Sequence, residues 1–250
     1  METNKKQIIK RAAIITGLLI LVIIIGFMTI RYETEGEQNL PFNLSKIMII
    51  STADGLNKND EAIIINQCND IYLTFEKNAD INEQNMIKNI YIENIKVLSQ
   101  PVKGTVKFYR PCKEGKLVYE NNEEYQIQDS IIYEGGEKTD LHTLKISNQG
   151  GTISFRTSVE SVGEIPIEQE STSKAVSYNN DGSLLQKAKI SISDIRYNMS
   201  FDIVIELANG KMYKAKINES LPIEDKENGG VKGVEKVDMQ DVVFKRTKIK

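Results

Sequence analysis

Met199-Ser-Phe-Asp-Ile-Val-Ile-Glu-Leu-Ala-Asn-Gly-Lys-Met-Tyr-Lys-Ala-Lys-Ile217 decides the fold class. Met199, Phe201, Ile203, Ile205 and Leu207 stand at every second position, and Tyr213, Ala215 and Ile217 resume the alternation after Asn209-Gly210. A period of two places such side chains on one face of a strand. Asn-Gly accepts the positive φ angles of a type I′ turn, so the stretch reads as a β-hairpin.

The same period runs through most of the chain. Ile71, Leu73 and Phe75 alternate with Tyr72, Thr74 and Glu76; Val106 and Phe108 alternate with Lys107 and Tyr109. Ile153 and Phe155 alternate with Ser154 and Arg156 after Gly150-Gly151. Helix signals are few: Asp181-Gly-Ser-Leu-Leu-Gln opens one turn and Asn82 to Ile87 another. The expected class is all-β behind an N-terminal helix.

Two of the stripes look alike. Ile90-Tyr-Ile-Glu-Asn-Ile-Lys-Val97 and Ile190-Ser-Ile-Ser-Asp-Ile-Arg-Tyr197 share Ile-x-Ile-x-Asx-Ile-basic, and each changes parity once. An inward-facing row changes parity through a bulge or a turn, which Asn94 or Asp194 suits. Flanking strands at 70–75 and 151–155, then 104–108 and 201–205, extend the match. The chain therefore reads as one or two tandem immunoglobulin-like β-sandwiches, with repeats at 41–134 and 141–222 meeting near Glu134-Gly-Gly-Glu-Lys-Thr-Asp140. The alternative is one larger sandwich with strands from both halves. Residues 223–250 read as a flexible tail, with a linker composition at 224–233 and Val242-Val-Phe244 as a candidate edge strand.

Residues 12–30 carry no charge. These 19 residues make a helix of roughly 28 Å, against a hydrocarbon core of roughly 30 Å. Lys5, Lys6, Lys10 and Arg11 precede the run, and Glu33, Glu35 and Glu37 follow Arg31. Lys and Arg stay on the cytoplasmic side, so residues 1–11 are a cytoplasmic basic tail and the bulk is extracytoplasmic. The end of the run, Gly26-Phe-Met-Thr-Ile30, is a poor cleavage site, so an uncleaved, single-pass signal anchor is expected rather than a removed signal peptide. Residues 31–40 read as a polar stalk ended by Pro41.

The whole chain of 250 residues carries −3. Residues 1–30 contribute +3, the remainder −6, and residues 31–244 alone −10. An acidic body disfavours nucleic acid as a partner. Lys245, Arg246, Lys248 and Lys250 form a basic tip that reads as a solvated, frayed end.

Candidate chemistry is sparse. Cys68 and Cys112 are the two cysteines. They meet as a disulfide if the strands at 71–75 and 104–109 pair antiparallel; otherwise they are separate thiols. His142 is the single histidine, without CxxC or other ligands at zinc spacing. Ser171-Thr-Ser-Lys174 has Ser-x-x-Lys spacing but lacks the companion motifs of penicillin-binding enzymes. The Thr-Leu-x-Thr-Cys strand of sortases is missing. Asp54-Gly-Leu-Asn-Lys-Asn-Asp-Glu61 is oxygen-rich but lacks the calcium-loop order. Tyr72, Tyr91, Tyr109, Tyr119, Tyr125 and Tyr133 would stack on sugars if at least three shared one exposed face; cross-strand packing is the plainer use. No catalytic, cofactor or metal site is expected.

The basic start, the anchor and Arg31-Tyr-Glu-Thr-Glu-Gly-Glu-Gln-Asn-Leu-Pro-Phe-Asn-Leu-Ser-Lys-Ile47 resemble uncharacterised single-pass membrane proteins of low-GC Gram-positive, clostridia-type bacteria. The Ile-, Asn- and Lys-rich composition agrees with such an origin. The resemblance implies a cell-membrane location and brings no activity, cofactor or catalytic residue. The resulting expectation is a non-enzymatic envelope scaffold or protein-interaction module, held by the bilayer through residues 12–30 and meeting an envelope protein partner. A solute- or glycan-binding module and a hydrolase with an unrecognised site are the rivals.

Overall fold

A computed structural model describes residues 2–58, 61–78, 82–112, 118–136, 144–166, 183–224, 233–237 and 242–248. Helix α1 (Glu2–Glu35) comes first. Strands β1 (Phe42–Lys58), β2 (Ala62–Lys77), β3 (Ile87–Ser99), β4 (Thr105–Tyr109), β5 (Ser130–Gly136), β6 (Lys145–Ser147) and β7 (Gly151–Pro166) follow. Short helices α2 (Ser183–Lys187) and α3 (Ile192–Ile195) precede β8 (Tyr197–Leu207), β9 (Met212–Leu221), β10 (Gly233–Val237) and β11 (Lys245–Thr247).

One sheet has the order β10-β1-β2-β7-β4, the other β11-β9-β8-β3-β5-β6. Both sheets take strands from both halves of the chain: β2 lies between β1 and β7, and β3 between β8 and β5. A division near residues 134–140 would cut both sheets, so the one-sandwich alternative describes the fold and the two tandem repeats do not. The eleven described strands, with a parallel β5–β6 pair, exceed the seven- or nine-strand antiparallel immunoglobulin layout.

The alternating stripes supply the core. Ile71, Leu73, Phe75, Ile153, Phe155, Met199, Phe201, Ile203, Ile205, Leu207, Tyr213, Ala215 and Ile217 all point inward and are buried. Phe155 of β7 meets Phe201 of β8 edge to face, centroids 5.1 Å apart at 81°, joining the two sheets. Each large buried side chain contributes about 1.5–3 kcal/mol.

The hairpin at 197–221 forms, with a different turn. Gly210 alone in it takes a positive φ, 77°, and its N–H donates to Leu207 O at 2.9 Å. A type I′ turn needs positive φ at both central residues, and Asn209 does not adopt it. In β3, Asn94 has φ 53° at a register shift between Glu93 and Lys96, the expected bulge. Its supposed duplicate differs: Ile190 ends a turn, 192–195 is α3, and the strand begins only at Tyr197. Ser191 and Asp194 form a capping box there, which favours helix over strand. Leu184, Leu185, Ile190 and Ile195 are buried and close the end of the sandwich opposite α1. The expected turns at 82–87 and 181–186 appear as a one-turn 3₁₀ helix capped by Asn82 and as α2.

A polar network is sealed between the sheets. Asn69 Nδ2 donates to Gln67 Oε1 (3.1 Å), Thr157 Oγ1 (3.2 Å) and Tyr197 Oη (3.1 Å). Asn69 Oδ1 accepts from Ser51 Oγ (2.7 Å) and Gln67 Nε2 (2.8 Å). All five side chains are buried. Satisfying every member is what makes such burial tolerable.

Candidate functional site

Beside the ion pairs of Glu206 and Asp202 on the second sheet, two places among the described residues concentrate polar chemistry. The first is the outer face of the first sheet. Register sets Asp70 of β2 opposite Arg156 of β7, and Cys68 opposite Ser158. Arg156 Nε and Nη2 donate to Asp70 Oδ1 and Oδ2 at 2.6 and 3.1 Å, and Nη1 lies 3.5 Å from Asp54 Oδ2. The guanidinium carbon sits 4.9 Å from the Tyr119 ring centroid, a cation–π contact. Burial works against the Arg156 charge, but the Asp70 hydrogen bonds and the surrounding anions outweigh it and raise its pKa.

Cys68 Sγ lies 3.4 Å from Asp54 Oδ2 and 3.5 Å from Ser158 Oγ. Burial pushes this thiol up to about 12; Arg156 opposes that shift and Asp54 adds to it. A thiol so far from ionising is a poor nucleophile. Tyr109 Oη donates to Glu160, which also pairs with Lys107 Nζ at 2.9 Å. Tyr119 Oη bonds Ser154 Oγ, and Asn121 Nδ2 donates to Ser158 Oγ at 3.0 Å. Asn121 Oδ1 is buried with no hydrogen-bond partner among the described residues. These contacts pin residues 118–127 onto the sheet and leave its charged groups engaged with one another.

The second place is the junction between α1 and the sheets. The helix runs to Glu35, so residues 31–35 are helical rather than stalk. Gly36 ends it with φ 71°, and its N–H donates to Tyr32 O at 2.9 Å. A Cβ at Gly36 would strike the Phe244 carbonyl. That carbonyl accepts Glu37 N–H at 2.8 Å, and the Phe244 side chain is buried. Lys245 Nζ pairs with Glu33, and Arg246 N–H donates to Tyr32 Oη at 2.8 Å. Residues 245–247 pair with β9 as β11, and 233–237 pair with β1 as β10. The frayed basic tip and flexible tail expected at 223–250 are corrected at these residues. Their hydrogen bonds go to β1 and β9, and the C-terminal strand clasps the end of α1.

The cysteines do not meet. β7 intervenes between β2 and β4, so the antiparallel pairing that the disulfide required does not exist. Neither cysteine is in a disulfide, and Cys112 Sγ donates to Val118 O at 3.1 Å. Lys5 and Lys6 lie in α1, and Lys10 and Arg11 are exposed on it. His142 and Ser171–Lys174 fall outside the described residues, as do residues 59–60 of the oxygen-rich stretch, whose Asp54 turns toward Arg156. Among the described residues no group of three or more His, Cys, Asp or Glu is placed to hold a metal ion. Tyr72, Tyr109 and Tyr119 share the outer face of the first sheet, but Tyr109 and Tyr119 are buried; Tyr133 is in the core, and Tyr91 is on the other sheet. The clasp at Gly36 and Phe244 was missed by periodicity. A helix-ending Gly after the apolar run was its available signal.

In α1 the stretch Ala13–Glu35 is long and apolar enough to cross a membrane: an 18-residue window of it has mean hydropathy 2.9, with none of that window buried against the rest of the protein. Comparison with protein-family models, with curated proteins and with solved structures found no match.

Proposed function

We propose that this protein is a membrane-anchored interaction module of a bacterial envelope: α1 spans the cytoplasmic membrane with its N-terminus inside, and the two-sheet body stands outside. The observation that carries this reading is the uncovered apolar helix. Ile14, Leu18, Val22, Phe27 and Ile30 are 57–68% exposed although attached to a body with a closed core of its own. Moving each such side chain out of water is worth about 1.5–3 kcal/mol, and a bilayer is the medium that supplies it. The cations at Lys5, Lys6, Lys10 and Arg11 support the orientation. A cleaved signal sequence would pass the same test of length and hydropathy. The clasp favours retention, because cleavage would discard the helix that Phe244, Lys245 and Arg246 hold.

The reading is non-enzymatic. The charged cluster around Arg156 is satisfied internally, and the Cys68 thiol stays protonated. The end opposite α1 presents Leu56, Leu98 and Val102, at 51, 56 and 80% exposure, as the apolar contacts for a protein partner. A photo-crosslinking side chain placed at 56, 98 or 102 in living cells tests this. Discrete adducts are expected from these positions and not from Lys216, on the outer face of the second sheet. Equal or absent adducts at all four would refute it.

A further inference from the structure

Residues 244–246 touch the C-terminal end of α1 and head from there toward its apolar stretch. Phe244 lies at Gly36 and Glu37, Lys245 at Glu33, and Arg246 at Tyr32. From Phe244 to Arg246 the strand advances about 7 Å, at roughly 3.3 Å per residue. From residue 36 to 32 the helix falls back about 6 Å, at 1.5 Å per residue. The two segments head the same way. Two further residues carry Lys248 about 7 Å on in that direction, toward the level where the uncharged run 12–30 begins.

Charge at that level is unbalanced. Thr247 pairs with Met212, which brings Lys248 beside Lys211 of the β8–β9 turn. Lys211, Arg246 and Lys248 are exposed and make no ion pair among the described residues. The nearby acids are otherwise engaged or higher up. Glu35 accepts Arg31 Nε at 2.7 Å, Glu33 holds Lys245, and Glu37 sits at the Phe244 level. Glu83 lies on the β3 side of the turn, away from β11, where Asn209 N–H donates to Gln84 O. A cation at the edge of a hydrocarbon layer extends to the headgroup plane and takes a counter-charge there.

We propose that Lys211, Arg246 and Lys248 form a rim that binds anionic phospholipid headgroups in the leaflet from which α1 emerges. This rests on the reading of α1 as a membrane span. The rim seats the body against the bilayer, which suits a short clasped junction and not a flexible stalk. Each cation near an anionic surface strengthens attachment to it roughly fivefold.

The full chain, with Cys112→Ser, is reconstituted in phosphatidylcholine vesicles with and without phosphatidylglycerol. A fluorophore is placed at Thr247→Cys or, separately, at Leu18→Cys. Headgroup-nitroxide lipid is expected to quench the Thr247 label, more strongly when the nitroxide is on phosphatidylglycerol. The double variant Arg246→Glu, Lys248→Glu removes that preference while chain-nitroxide quenching at Leu18 is unchanged. Quenching at Leu18 with none at Thr247, or no preference between the two lipids at Thr247, overturns the rim and leaves the span standing. No chain-nitroxide quenching at Leu18 overturns both. Circular dichroism of the double variant confirms that the β body is retained.

Discussion

Replacing Phe75 or Phe201 by Ala tests whether both halves of the chain share one core. Phe75 belongs to β2 and Phe201 to β8, in different sheets and different halves, and both are fully buried. Removing a buried Phe costs about 3–5 kcal/mol in lost transfer energy and cavity. Phe201 also loses its edge contact with Phe155, worth about 0.5–1.5 kcal/mol, so it falls at the upper end of that range. Against a typical total of about 5–15 kcal/mol, either change removes a large share of the stability. Urea unfolding of the detergent-solubilised full chain, followed by far-ultraviolet circular dichroism and by tyrosine fluorescence, reads the effect. One transition, coincident by both probes, should move to lower urea in each variant. Two transitions, with Phe75→Ala shifting one and Phe201→Ala the other, would refute the shared core and restore two tandem units.

Asn69→Ala leaves Ser51, Gln67, Thr157 and Tyr197 short of a buried partner, and at about 1–3 kcal/mol for each group stranded it should lower the unfolding midpoint as much as a core truncation. Gly36→Ala forces a positive φ costing roughly 1–2 kcal/mol and drives a Cβ into Phe244 O; faster hydrogen exchange at the Glu37 amide, with the core amides unchanged, is the expected signature. Burial acts to raise the Glu206 pKa, but hydrogen bonds from Lys88, Tyr91 and Asn89 outweigh it and hold the carboxyl below its ordinary value of 4.5. Its contribution is therefore complete above that value and fades as pH falls through it toward the lower folded-state pKa. Glu206→Gln should be less stable than the parent at pH 7, and the gap should close on acidification; a gap constant with pH would contradict the assignment.

The parts of this fold that sequence disclosed are those with a local cause. The odd positions of the stripes at 71–75, 153–155 and 199–207 all face the core; burial follows parity in the first, while Ser154, Ser200, Asp202, Val204 and Glu206 are covered as well in the other two. Asn94 marked its own bulge because the inward row changes parity around it. What stayed hidden depends on distant partners. Asn69 and Thr157 occupy inward positions of their stripes, and hydrogen bonds with Ser51, Gln67 and the Tyr197 hydroxyl of the facing sheet make them tolerable there. Ile190, Ile192 and Ile195 fit a strand with a bulge as well as a short helix, and the Ser191–Asp194 capping box decides for helix. No periodicity says which stripes pair, so the mixing of halves in both sheets was not readable. Nor was the return of residues 244–247 to the end of α1: Gly36 marks where the helix stops, but nothing local says that Phe244 covers it.

The placement of the β body across the membrane from residues 1–11 is the central claim, and a membrane-impermeant maleimide tests it most directly. In a Cys112→Ser background, with Cys68 buried, single cysteines are introduced at Val102, 80% exposed, and at Lys10. Intact cells should label Val102→Cys, and Lys10→Cys should react only after permeabilisation. Labelling of Lys10→Cys in intact cells, with Val102→Cys protected until the membrane is opened, would contradict the account.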